Sequence, residues 1–142
     1  MVFKKLVIFL VIIVSYLIAG TFLFLTYRDH FILSFSEKSC SLAIFSGLLG
    51  SAVYMTRGFY QSAVEKVDNS KMFDFERWIW WYLSRPILGA IAGGLAFLII
   101  FLAFDFTETT KNQTAFVLLG FLSGYNFHEF IEKRISKRTD LS

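Results

Sequence analysis

Polar and apolar positions in this chain separate into long blocks rather than alternating. Residues 6–27, 39–56, 86–104 and 113–127 each run without a charged side chain. A helix needs about 20 apolar residues to cross a bilayer core. The blocks therefore predict an all-α membrane protein of four transmembrane helices, with crossings at about 6–27, 39–57, 86–104 and 113–130. One domain, residues 1–142, holds all four, joined by a loop at about 58–85 and closed by a basic tail, 131–142. The first block reads as an anchor rather than a cleaved signal peptide. It continues past Ala19-Gly20 to Tyr27, and Leu17 is not the small residue that cleavage requires.

Two stretches refine the pattern. Trp78, Trp80, Trp81 and Tyr82 cluster just before the third crossing. Rings with an apolar body and a polar tip favour the headgroup layer. They predict a short interfacial helix there, with Pro86 in the first turn of the next one, where no backbone N–H is needed. Upstream, 61–71 reads as a polar extension of the second helix followed by a turn at Asp68-Asn69-Ser70. The fourth block is short and predicts a helix continuing as an amphipathic end. Phe127, Phe130, Ile131 and Ile135 share a face, and Glu129 with Lys133 forms a favourable i, i+4 pair.

Charge then sets orientation. Eleven of the fourteen Lys and Arg fall in the N-terminal segment, the middle loop together with Arg57 just before it, and the C-terminal tail. The positive-inside rule places both termini and the middle loop in the cytoplasm, making this a multi-pass protein of the cell inner membrane. Lys133, Arg134, Lys137 and Arg138 would lie near anionic headgroups. The formal net charge of +3 reflects this topology, and no direct nucleic-acid binding is expected.

Small residues mark the packing faces. Gly47 and Gly50 in the second helix, Gly89 and Gly93 in the third, and Gly120 and Gly124 in the fourth permit close backbone approach. Three such faces in so small a subunit favour a homo-oligomer.

Chemistry is sparse. The middle of each block holds hydroxyls only, among them Ser15, Ser46, Ser51 and Ser123, whereas Arg57 and His128 sit near inner ends. A proton-coupled pump built on a membrane carboxylate is thereby disfavoured. His30 and His128 belong to opposite sides, and the single cysteine, Cys40, forms no intrachain disulfide. No catalytic residue, metal ligand set or cofactor site is expected, and the protein is not expected to be an enzyme.

Tyr82–Gly93, with its aromatic-Arg-Pro-small order, and Leu119–Tyr125 resemble small prokaryotic four-helix membrane proteins encoded beside antiviral systems, such as the membrane subunit of the Kiwa defence system. The resemblance implies an oligomeric inner-membrane protein that senses membrane disturbance or works with a soluble partner. The leading expectation is an anchor or signalling protein for a cytosolic partner. Its docking surface would be Trp78, Trp80, Trp81, Tyr82, Arg85 and the basic group at 133–138. The alternative is a homo-oligomeric pore, followed by a small-solute transporter.

Overall fold

The computed structural model describes the backbone of residues 2–28, 32–64, 75–103 and 110–139 and the side chains of 6–28, 32–60, 80, 82–103 and 113–127. The expected turn at 68–70 and the side chains of Trp78, Trp81, Lys133, Arg134, Lys137 and Arg138 lie outside the described set. Four helices make up the described backbone: α1 (Val2–Tyr27), α2 (Phe35–Val64), α3 (Phe75–Ala103) and α4 (Thr110–Thr139). Leu6–Tyr27, Phe35–Tyr60 and Tyr82–Ala103 are long and apolar enough to cross a membrane. At 30 residues α4 is as long, but its second half is polar.

Two boundaries differ from expectation. α2 starts earlier than residue 39, because Ser34 and Glu37 cap it. The Ser34 backbone N–H and hydroxyl both donate to Glu37 Oε2 at 2.8 Å, and the Glu37 N–H donates to Ser34 Oγ at 3.4 Å. This is a capping box, which satisfies first-turn donors that have no partner inside the helix. The second difference is in α3. The expected interfacial helix and the third crossing form one continuous helix, with Pro86 in its interior. Proline removes only one helical hydrogen bond, to the carbonyl four residues back, and membrane helices tolerate that loss.

α2 is the hub, packing against each of the other three helices, whereas α1 and α4 do not meet among the described residues. Two apolar clusters lie at the two ends. At the end where α1 begins, Ile8 and Ile12 pack with Ala52, Met55 and Tyr82. At the opposite end, Ala43, Phe97 and Phe116 join α2, α3 and α4, with the Phe97 and Phe116 rings edge-on at 5.2 Å. α1 contributes one stripe, Ile8, Ile12, Ser15 and Ala19, while Leu6, Leu10, Leu17 and Phe24 remain more than half exposed on its other sides. A helix that is apolar all round with one packed stripe suits a lipid-facing position.

Between the end clusters the glycines meet within one chain. A Cβ on Gly47 would collide with Gly89 O and with the backbone of Gly93, and one on Gly124 would collide with the carbonyl of Gly47. A Cβ on Gly93 or Gly120 would strike Ala43 O, and one on Gly50 would strike Phe121 O. One helix thus serves two glycine faces, and a single subunit buries all three. The reason for expecting a homo-oligomer from these faces falls away. Buried hydroxyls complete the fit. Ser46 lies against Gly120 and Ser51 against Gly89. Each donates to its own helix, Ser46 to Ala43 O at 3.0 Å and Ser51 to Leu48 O at 2.8 Å.

Register follows from these collisions. Gly47 and Gly93 are central in the apolar spans of α2 and α3, and Gly124 is level with them. The centre of the α4 apolar block, near Gly120, meets Ala43 instead, so α4 is set about one turn further from the α1-start end than that centre would place it.

Gly47→Ala and Gly124→Ala should each lower stability by about 1–3 kcal/mol, because backbone cannot rotate out of the way of a new methyl. A Cβ at Gly20 meets nothing within 4 Å. Gly20→Ala should be neutral or stabilising by up to about 1 kcal/mol. Equilibrium unfolding in mixed micelles compares the three, and equal behaviour would contradict the glycine packing.

Candidate functional site

Among the described residues the one buried charged group is a guanidinium. α3 enters its apolar span at Tyr82, so Arg85 lies inside that span, one turn further along. It is 3% exposed. Charged side chains at such positions are costly and cluster at functional sites. Sequence reasoning named Arg85 as a docking residue and missed its burial, because starting the third crossing at Pro86 left Arg85 in the loop.

Three helices build its surroundings. The guanidinium carbon of Arg85 stands 4.8 Å from the ring centroid of Tyr54 on α2 and 4.9 Å from that of Tyr82 on its own helix. Ring faces carry negative electrostatic potential, and a desolvated cation over one gains up to about 2 kcal/mol. Tyr54 passes the contact on, meeting Tyr125 of α4 edge-on at 5.5 Å. Tyr125 stacks on Phe121 of its own helix at 6.5 Å, and its hydroxyl accepts a 2.9 Å bond from Nη1 of Arg57. Arg57 is exposed, so the chain Arg85–Tyr54–Tyr125–Arg57 runs from a buried cation to a surface one.

Gly58 makes room for this arrangement. Tyr54 and Gly58 are four residues apart and so share a face of α2. A Cβ at Gly58 would sit 2.9 Å from the Tyr82 hydroxyl and 3.8 Å from Arg85 Nη1. At the neighbouring edge the Tyr16 and Thr56 hydroxyls lie 3.1 Å apart, tying α1 to α2, while Thr56 donates to Ala52 O at 2.9 Å.

Of the residues expected to present a docking surface, the structure separates two kinds. Trp80 is 77% exposed. Tyr82 and Arg85 are turned into the bundle, at 5% and 3% exposure, and cannot meet a partner at the surface. The cause is helical phase. A continuous α3 rotates by about 100° per residue, so positions 82 and 85 take the side facing α2 while 80 takes the other. Among the described residues no group of three His, Cys, Asp or Glu could hold a metal ion. Chemically the cluster offers a permanent cation, aromatic faces and phenolic hydroxyls, which can hold helices together or hold an anion. It offers no nucleophile–base pair.

No family model, no curated protein and no solved structure matches this chain.

The ring faces contribute to stability through Arg85, so Tyr54→Leu should cost about 1–2 kcal/mol more than Tyr54→Phe, which keeps the ring. Arg85→Lys should also destabilise, since an ammonium cannot stack flat on two rings. Unfolding midpoints in mixed micelles check both, and equal midpoints for the Leu and Phe variants would remove the cation–π account.

Proposed function

We propose that this protein is a non-enzymatic membrane anchor that presents a helical docking platform to a cytosolic partner. The observation that carries this reading is an asymmetry of helix length. α2 runs on to Val64, α3 begins at Phe75, before its apolar span, and α4 continues to Thr139, all at the end where α1 begins. At the opposite end the apolar span of α3 runs to Ala103, the last described residue of its helix, and α4 starts at Thr110, shortly before its apolar block. Helix beyond the apolar spans is thus concentrated on one side, the side that also holds most of the Lys and Arg.

In this reading α4 crosses as a fourth span, stabilised by its glycine contacts with α2 rather than by its own hydropathy. Both termini are then cytoplasmic and the membrane is the cell inner membrane. Trp80 anchors the platform at the headgroups, and Lys133, Arg134, Lys137 and Arg138 add attraction to anionic lipid of about 1 kcal/mol each. The Arg85 cluster lies at the base of the platform, where it couples α2, α3 and α4. A sensor or effector role in antiviral defence, implied by the resemblance of Tyr82–Gly93 and Leu119–Tyr125, is compatible with such a platform. A pore had its motive in glycine faces lining an assembly, and those faces are occupied by helices of the same chain.

Topology is tested in a Cys40→Ser background, which removes the single cysteine. In intact spheroplasts an impermeant maleimide should label Ser36→Cys and leave Ser142→Cys untouched until lysis. Labelling of Ser142→Cys from outside would end the fourth crossing. For the platform, a tagged protein is purified in mild detergent and co-purifying chains are identified. Trp80→Ser combined with serine at 133, 134, 137 and 138 should abolish recovery of a stoichiometric soluble partner while the protein remains folded. Unchanged recovery would contradict the docking role.

A further inference from the structure

α3 and α4 leave a groove of about 430 Å³ on the outside of the bundle. Its floor is Ala92 and Ala96, and its walls are apolar, with Leu95, Ile99 and Leu122 each at least half exposed. Two polar residues of α4, Ser123 and Asn126, also line it. Three residues apart, they share one face. Neither makes a hydrogen bond among the described residues. Ser15, Ser46, Ser51 and Thr56 behave differently, each bonding a carbonyl of its own helix.

The depth of Asn126 makes this notable. Gly124 touches Gly47, central in the α2 span, and Ala92 of the groove is adjacent to Gly93, central in the α3 span. Asn126 is two residues from Gly124, so it lies about 3 Å from the middle of the bundle. It is exposed there. If α4 crosses the membrane, the medium at that level is hydrocarbon, and an exposed amide is as cut off from water as a buried one. Leaving its donors and acceptor unmet costs several kcal/mol.

We infer that the α3/α4 groove is where a second copy of this chain docks, with Asn126 of the two copies hydrogen-bonded to each other across a twofold axis. The occupant follows from the chemistry. A carboxamide is donor and acceptor at once, so it satisfies an identical group, and a twofold interface places identical residues opposite one another. Lipid tails offer neither donor nor acceptor. Ala92 and Ala96 provide the shallow floor against which a second α4 can lie closely, and Ser123, one turn from Asn126, can bond across the same seam. This inference rests on the fourth crossing proposed above. It relocates self-association from the glycine faces to a surface that sequence periodicity did not single out.

The test is cysteine cross-linking in native membranes, in the Cys40→Ser background. Single cysteines are introduced at Ser123 and Asn126 in the groove, and at Leu10 and Leu17 on the exposed side of α1. Mild oxidation should yield a disulfide-linked dimer from Ser123→Cys or Asn126→Cys at least about tenfold more abundantly than from either α1 position, since a disulfide needs Cα atoms within about 7 Å. Adding Asn126→Leu to Ser123→Cys should reduce the cross-linked fraction about three- to tenfold, the range expected for interhelical hydrogen bonds in membranes. Ser→Cys is nearly isosteric, and size exclusion in detergent verifies folding of each variant. Groove cysteines that remain monomeric, or that cross-link no better than Leu17→Cys, would overturn the inference, as would a native mass showing one chain with retained phospholipid. Failure of the fourth crossing is read separately, by outside labelling of Ser142→Cys. Cytoplasmic labelling at 142 with monomeric groove cysteines would refute the dimer alone.

Discussion

Backbone contact at Gly47 is the constraint on which the rest of this structure depends. Hydrocarbon solvates leucine as well as another leucine does, so membrane helices gain little by burying large apolar side chains against one another. They gain by approaching closely enough for dispersion and Cα–H contacts along the backbone, and that requires the absence of a Cβ. Gly47 meets α3 at Gly89 and Gly93 and is met by α4 at Gly124. One position on one helix thereby fixes the relative height of the other two. α1, where a Cβ at Gly20 would meet nothing within 4 Å, has no part in this lock and is held by a mainly apolar stripe and the Tyr16–Thr56 hydroxyl contact.

Heights fixed in this way determine which polar groups end up away from water. α3 is placed so that Arg85 lies beside Tyr54 and behind Gly58. The desolvation of a buried guanidinium is large, and two ring faces offset part of it while leaving the charge in place. α4 is drawn away from the α1-start end, which brings Asn126, exposed on its outer side, near mid-bundle. Both placements follow from the heights that the glycine contacts set, and on the proposed fourth crossing Asn126 too would be away from water.

The surfaces left for association follow by subtraction. Once the glycine faces are filled by neighbouring helices, what remains is the apolar exterior of α1, the α3/α4 groove and the helix ends beyond the apolar spans. The first suits lipid, the second suits a helix carrying a matching amide, and the third, with exposed Trp80, suits the headgroup layer and whatever binds beneath it. On the proposed reading, this division would let one chain of 142 residues be held in the bilayer, pair with itself and present a cytosolic face through different side chains.

Four apolar blocks, their order and the glycines at 47, 50, 89, 93, 120 and 124 were legible in the sequence, because hydropathy and the absence of a side chain are properties of single residues. The extension of α2 and α4 beyond their apolar blocks was legible as well, from polar residues at helical spacing. Three things were decided only by tertiary structure. Glycine faces that could equally have met across subunits meet within one chain, because α2 lies between α3 and α4. Pro86 reads as a helix start, yet it sits inside α3, since the loss of one hydrogen bond is smaller than the gain from packing the residues on both sides of it. Arg85 and Tyr82 read as surface residues beside three tryptophans, yet face inward, because burial depends on the phase of a continuous helix and on the notch at Gly58. Composition specifies which segments avoid water. Which side of a helix meets another, and at what height, is set by contacts between residues far apart in the chain, and no local pattern carries that information.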